Sequence, residues 1–210
     1  MIKLLIVDDH AIVREGLNRI IQSEQDMHVA GMAKDGSEVI RLMLENEIDV
    51  IILDISMPGK SGLDLIKDVK QVQPLVKILM LSMYPEERFA MRSIKAGASG
   101  YLTKEMAPEE IVNAIRTIHS GRKYITSALA DMIADELQNP SEKVPHELLS
   151  DREFEVLCML AVGKPVVEIA TVLSLSESTV STYRMRILHK MGLKTNSDLI
   201  HYGIEHGLVD

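Results

Sequence analysis

Ile48-Asp49-Val50-Ile51-Ile52-Leu53-Asp54-Ile55-Ser56-Met57-Pro58-Gly59 decides the fold of this chain. A nearly unbroken apolar run reads as a strand buried on both faces of a parallel sheet, and it delivers one carboxylate, Asp54, to the strand's C-terminal end. In open α/β sheets that end is where ligands and chemistry sit. Pro58 and Gly59 force a loop, which keeps Asp54 at the rim of the sheet rather than inside a helix.

Working outward, strand-like and helix-like patterns alternate five times. Residues 3–7 form a short apolar run that ends in Asp8-Asp9-His10, and a helical period follows through Ile12, Val13, Leu17, Ile20 and Ile21. Met27–Ala33 is the second strand, with a helix opened by Gly36. Gly62–Val72 is an amphipathic helix that stops before Pro74, and Val76–Leu81 is a fourth strand ending at Ser82. A helix over Pro85–Ala96 closes at Gly97, a short strand lies in Gly100–Lys104, and Pro108–Ser120 is the fifth helix. This rhythm predicts an α/β domain, a five-stranded parallel doubly wound sheet with right-handed crossovers. The alternation ends near residue 121, so residues 1–121 are expected to form the first domain.

Ser127–Leu137 reads as one more helix, and 138–145 has the proline and polar content of a linker. Residues 122–146 are therefore expected to be a helical extension and linker, and 147–210 a second, all-α domain. There Ser150-Asp151-Arg152-Glu153 is a capping box that starts a helix ending at Gly163. Pro165–Leu173, a helix capped by Ser176 and ended by Gly192, and a helix capped at Thr195 complete a four-helix bundle.

Composition narrows the function classes. The formal charge of −8 argues against indiscriminate nucleic-acid binding, and residues 147–210 carry 6 Lys+Arg against 9 Asp+Glu. Yet Ser178–Lys194 holds Arg184, Arg186, Lys190 and Lys194 with no acid, a local basic stripe on an acidic molecule. The first residues are too short an apolar run for a signal peptide and no 18-residue apolar stretch occurs, so a soluble cytoplasmic protein without a membrane partner is expected. Cys158, the one cysteine, sits in a helical apolar pattern and reads as a buried small hydrophobe.

The chemistry is carried by residues at strand ends. Asp8 and Asp9 end the first strand, Asp54 the third and Ser82 the fourth, while Lys104 follows the fifth; a doubly wound sheet brings these ends to one edge. Three carboxylates held together repel one another unless a cation is present, and Mg²⁺ prefers one or two carboxylates, carbonyl oxygen and retained water. The neighbouring hydroxyl and ammonium suit an anion with several oxygens, such as a phosphoryl group that Asp54 accepts as nucleophile.

With these residues in place, 1–121 resembles a two-component receiver domain. The resemblance implies a flavodoxin-like strand order, Asp54 as phospho-acceptor, phosphoryl transfer from a sensor histidine kinase, Ser82 as switch hydroxyl, Tyr101 as switch aromatic and Lys104 as the family's lysine. It also implies that Asp9, Asp54 and the Ser56 carbonyl ligate Mg²⁺, with Asp8 acting mainly through water, and that Tyr101 rotates into space vacated by Ser82. Met83 is bulkier than the small residue often found after the switch hydroxyl. Such a protein is a phospho-accepting regulator rather than an enzyme with a separate substrate. A haloacid-dehalogenase-like phosphatase also uses an aspartyl nucleophile after a strand, but needs a second aspartate two residues on, where this chain has Ser56.

Two short helices joined by Ser174-Leu175-Ser176 match a helix-turn-helix with Ser176–Met191 as recognition helix. Arg184, Arg186 and Lys190 supply phosphate-directed charge, and Ser178, Thr179, Ser181 and Thr182 place short donors near the helix N-terminus; Met185 lies among them. Leu149–Gly207 resembles the LuxR-type domain, so the whole chain is similar to NarL/FixJ-class response regulators. Ser181 stands where that family usually has lysine and Tyr183 where it has histidine, and Tyr183-Arg184-Met185-Arg186 resembles the branch typified by GacA and UvrY. The resemblance implies sequence-specific binding to double-stranded promoter DNA, transcription regulation, and a homodimer paired through Leu199, Ile200 and Gly203 on the last helix.

Overall fold

Every residue of β3 (Val50–Leu53) is buried, which is why its sequence shows no polar alternation. The computed structural model describes residues 1–138 and 144–209. β3 lies at the centre of a parallel sheet formed with β1 (Ile2–Val7), β2 (Met27–Ala33), β4 (Lys77–Ser82) and β5 (Gly100–Thr103), in the order β2-β1-β3-β4-β5. The chain winds outward in both directions from β1 and β3, so a crevice opens at their carboxyl ends.

Register brings the rim residues together. Val7 pairs with Leu53 and Leu53 with Met80, and the ladder continues one step further: Asp54 N donates to Val7 O at 2.9 Å and Asp8 N to Ala33 O at 3.1 Å. Lys104 N donates to Ser82 O at 2.7 Å. Helices α1 (Ala11–Gln22), α2 (Gly36–Glu45), α3 (Gly62–Val72), α4 (Glu86–Ala96) and α5 (Pro108–His119) supply the crossovers. On one face Leu17 and Ile21 of α1 and Ile111, Ile115 and Ile118 of α5 pack with Leu4, Ile6, Ile52 and Leu79 of the sheet. Gly62 is dictated by a close approach: a Cβ there would lie 1.9 Å from the carbonyl oxygen of Asp54, so no other residue closes this loop without a backbone shift.

Beyond α5 the chain turns at Gly121 and returns along the sheet edge. Tyr124 N donates to Ser99 O at 2.9 Å and Tyr124 bridges Gly100 in parallel, covering part of the β5 edge. α6 (Ser127–Gln138) then begins, with Thr126 Oγ1 accepting from Leu129 N at 3.1 Å. Two compact units are present, Met1–Ile133 and Ala134–Asp210, so the division falls within α6, ahead of the expected linker. Most of that linker, 139–143, lies outside the described residues.

In the second unit a 3-10 turn over Pro145–Leu148, which periodicity did not disclose, precedes α7 (Asp151–Ala161), α8 (Val166–Val172), α9 (Glu177–Met191) and α10 (Asn196–Glu205). The Ser150–Glu153 capping box is formed, Thr195 and Asp198 make a second, and Ser176 accepts from Thr179 N. Phe154, Leu157, Ile169, Val180, Ile187 and Leu199 fill the core, and Cys158 is a buried thiol.

Candidate phosphorylation site and nucleic-acid interface

Asp54 arrives at the rim because β3 stops there, and burial is nearly complete at 3% exposure. Its Oδ1 accepts from Ile55 N at 2.8 Å, and its Oδ2 lies 2.9 Å from Lys104 Nζ. The same ammonium is 2.6 Å from Asp8 Oδ2, while Asp8 Oδ1 accepts from His10 N at 2.8 Å. Arg14, one turn into α1, donates to the Asp8 carbonyl at 2.7 Å. Burial pushes the Asp54 carboxyl up to about 7; the Asp8 charge adds to the shift and Lys104 opposes it. For Lys104, burial works downward but is outweighed by Asp54 and Asp8, so the ammonium is held above its ordinary value.

Donor atoms of Asp8, Asp9, His10 and Asp54 all lie within 4.8 Å of one another. Asp9 Oδ1 is buried and without an aligned hydrogen-bond donor, although His10 Nδ1 is 2.7 Å away. The one ammonium pairs with Asp8 and Asp54, and a buried acceptor of Asp9 is left over; this donor set fits a hard divalent cation. Ser56 lies half-buried in the loop two residues beyond Asp54.

Ser82, the last residue of β4, is 1% exposed. Its Oγ accepts from Tyr84 N at 3.1 Å, and Tyr101 Oη donates to the Tyr84 carbonyl at 2.8 Å. The Tyr84 backbone therefore joins the two hydroxyl residues, donating to Ser82 and accepting from Tyr101. Tyr101 is itself 1% exposed. The ring expected to rotate inward is already inside, held there by the Tyr84 carbonyl. Met83 is 67% exposed.

On α9 the residues expected to meet DNA divide into two groups. Ser178, Ser181, Thr182, Met185 and Arg186 are exposed, and Ser178, Thr179, Thr182, Tyr183 and Arg186 line a groove of about 280 Å³. Arg184 Nε, by contrast, donates to Asn196 Oδ1 at 2.5 Å, and Lys190 Nζ lies 2.6 Å from Glu153 Oε2, whose side chain is 4% exposed. Lys190 therefore buttresses the α7 capping box. Periodicity did not reveal that Arg152, Glu153 and Glu155 of α7 are all buried, with Arg152 Nη1 2.5 Å from Glu155 Oε2 and Nη2 donating to Leu173 O at 3.3 Å. These polar residues tie α7 to the end of α8.

The expected pairing surface on α10 needs correction. Leu199 is fully buried, and a Cβ on Gly203 would lie 2.6 Å from Ala161 Cβ of α7. Both residues pack inside the bundle. Ile200 is half-buried, and Ile204, at 62% exposure, is the large apolar residue that α10 leaves in solvent. No helix among the described residues is long and apolar enough to cross a membrane.

Comparison with known proteins agrees with this geometry. Residues 4–116 match the response regulator receiver domain, and residues 147–203 match the luxR family of bacterial regulatory proteins. Response regulator UvrY of Escherichia coli K12 is 37% identical over 209 residues, spanning 99% of this chain and 96% of that protein. Response regulator GacA of Pseudomonas aeruginosa is 36% identical over 211 residues, covering 100% of this chain and 99% of the relative. Among solved structures, RcsB of Salmonella enterica serovar Typhimurium, bound to promoter DNA in the presence of the phosphomimetic BeF3-, superimposes with a TM-score of 0.65 at 27% identity, over 96% of this chain and 98% of that one. A sheet-edge site of carboxylates, lysine and hydroxyl, followed by a helix-turn-helix bundle, thus places the chain among the NarL/FixJ-class response regulators, DNA-binding transcription regulators in which a receiver domain precedes a LuxR-type domain.

Proposed function

We propose that Asp54 takes a phosphoryl group from the phosphohistidine of a sensor histidine kinase, and that this modification controls the binding of promoter DNA by α9. The observation that carries the reading is the Lys104 ammonium held between the buried Asp54 and Asp8 carboxylates at the sheet's switch point. In the transfer a carboxylate oxygen of Asp54 bonds to phosphorus, the phosphorus–nitrogen bond breaks, and the imidazole leaves with its electron pair and takes up a proton. Lys104 neutralises charge on the oxygens of the transferring group. Mg²⁺, held by Asp8, Asp9, Asp54 and the Ser56 carbonyl, would supply further electrostatic stabilisation there. His10 N and Ile55 N fix the two acidic side chains, so little reorganisation is needed.

Once Asp54 is phosphorylated, the phosphoryl oxygens draw the Ser82 hydroxyl away from Tyr84 N, from which its oxygen accepts. A dimer of the chain then presents two copies of α9 to adjacent half-sites. A cytoplasmic location accords with both the kinase and the DNA. The reading is tested by treating the full chain with acetyl phosphate and Mg²⁺ and measuring its affinity for a pool of promoter fragments. Phosphorylation should tighten binding in the wild type and leave Asp54→Ala unchanged; an equal response from both proteins would overturn the proposal.

A further inference from the structure

Thr126 holds two elements at once. Its Oγ1 accepts from Leu129 N at 3.1 Å and so caps α6, while its proton goes to the Glu86 carboxylate, with Oε1 at 2.7 Å and Oε2 at 2.8 Å. Glu86 is the first residue of α4, separated from Tyr84 by Pro85 alone, and Tyr84 is the residue whose backbone joins Ser82 and Tyr101. A proline with φ fixed at −56° leaves little slack between them. A set of hydrogen bonds and one rigid residue therefore runs from the Ser82 hydroxyl, at the end of β4, to the first turn of α6. All of it lies within the unit Met1–Ile133.

We infer that the Glu86–Thr126 contact is a latch that holds the start of α6 against the receiver domain and opens when Asp54 is phosphorylated. The direction follows from Ser82, whose Oγ accepts from Tyr84 N; once the hydroxyl turns to donate to a phosphoryl oxygen, Tyr84 N loses that acceptor. The Tyr84–Glu86 segment then relaxes and the Glu86 carboxylate leaves Thr126. Released from Glu86, the cap of α6 weakens, and the order of the segment leading to the DNA-binding domain follows the state of Asp54. The latch requires that Asp54 be the phospho-acceptor, as proposed above.

Hydrogen exchange on the full chain tests it, with the phosphorylated fraction first measured by intact mass. In the wild type, acetyl phosphate with Mg²⁺ should speed exchange in a peptide covering Leu129–Ile133 by about fivefold, the size of a lost helix cap. In Glu86→Ala that peptide should exchange fast from the start and respond no further, while Thr126→Ser, which keeps the hydroxyl, should behave as the wild type. Exchange across β1 and β3 should be unchanged, which separates opening of the latch from loss of the fold. Failure of acetyl phosphate to modify the protein would defeat the phospho-acceptor assignment. Full modification with no change in the Leu129–Ile133 peptide, or a Glu86→Ala variant that still responds, would overturn the latch alone.

Discussion

Lys104 Nζ lies 2.9 Å from Asp54 Oδ2, and both side chains are less than a tenth exposed. Two opposite charges withdrawn from water make a strong contact whose removal leaves the remaining group uncompensated. Lys104→Met should slow phosphorylation of Asp54 by acetyl phosphate roughly a hundredfold, the size of losing one preorganised electrostatic contact. Rates from intact mass spectrometry would show this; an unchanged rate would mean that the ammonium serves packing alone.

The ion pair between Lys190 and Glu153 makes stability of the second unit depend on pH. Burial would raise the Glu153 carboxyl, but hydrogen bonds from Lys190 and Ser150 outweigh it and hold the group below its ordinary 4.5. A depressed folded value stabilises the protein fully above the unfolded value, and that contribution is lost as pH falls through the folded one. Thermal unfolding of the full chain should therefore show a loss of stability below about pH 4.5 that is smaller in Lys190→Met. An identical pH profile for both proteins would contradict the pairing.

Arg186 and Lys190 should behave differently toward DNA, although both belong to the basic stripe. Arg186 is exposed in the groove with Ser178 and Thr182, whereas Lys190 is engaged with Glu153. Arg186→Ala should weaken promoter binding and reduce the slope of log affinity against log salt by about one. Lys190→Ala should change that slope less and lower stability instead. Salt titrations of both variants distinguish the two roles.

Gly203→Ala should destabilise the bundle by roughly 1–3 kcal/mol, because the added methyl would meet Ala161 at 2.6 Å. Denaturant unfolding measures this. Sedimentation of the folded fraction should show no direct effect on self-association; a variant of normal stability that fails to pair would restore Gly203 to an interface.

The sheet and the carboxylate cluster at its edge were legible because their signals are local and strong. A strand buried on both faces leaves an uninterrupted apolar run, and alternation with helices implies parallel strands whose carboxyl ends share one edge, so the sequence alone places Asp8, Asp54, Ser82 and Lys104 there. The capping box at Ser150 and the cap at Thr195 were readable for the same reason. What stayed hidden depends on partners remote in sequence. Glu153 and Lys190 are 37 residues apart, and Glu86 and Thr126 are 40 apart; neither pair leaves a periodic trace. On α10, helical spacing showed that Leu199 and Gly203 share a face, but only the packing shows that α7 covers it. Tyr101 gave no sign of its rotamer, since an aromatic in a strand fits either orientation.

If Asp54 carries the phosphoryl group, chemical trapping will locate it at that residue. The full chain is treated with acetyl phosphate and Mg²⁺, reduced with borohydride to convert an aspartyl phosphate to homoserine, and digested for peptide sequencing by mass spectrometry. Homoserine is expected at position 54, and absent when Mg²⁺ is chelated. Homoserine at Asp8 or Asp9 with Asp54 intact would contradict it.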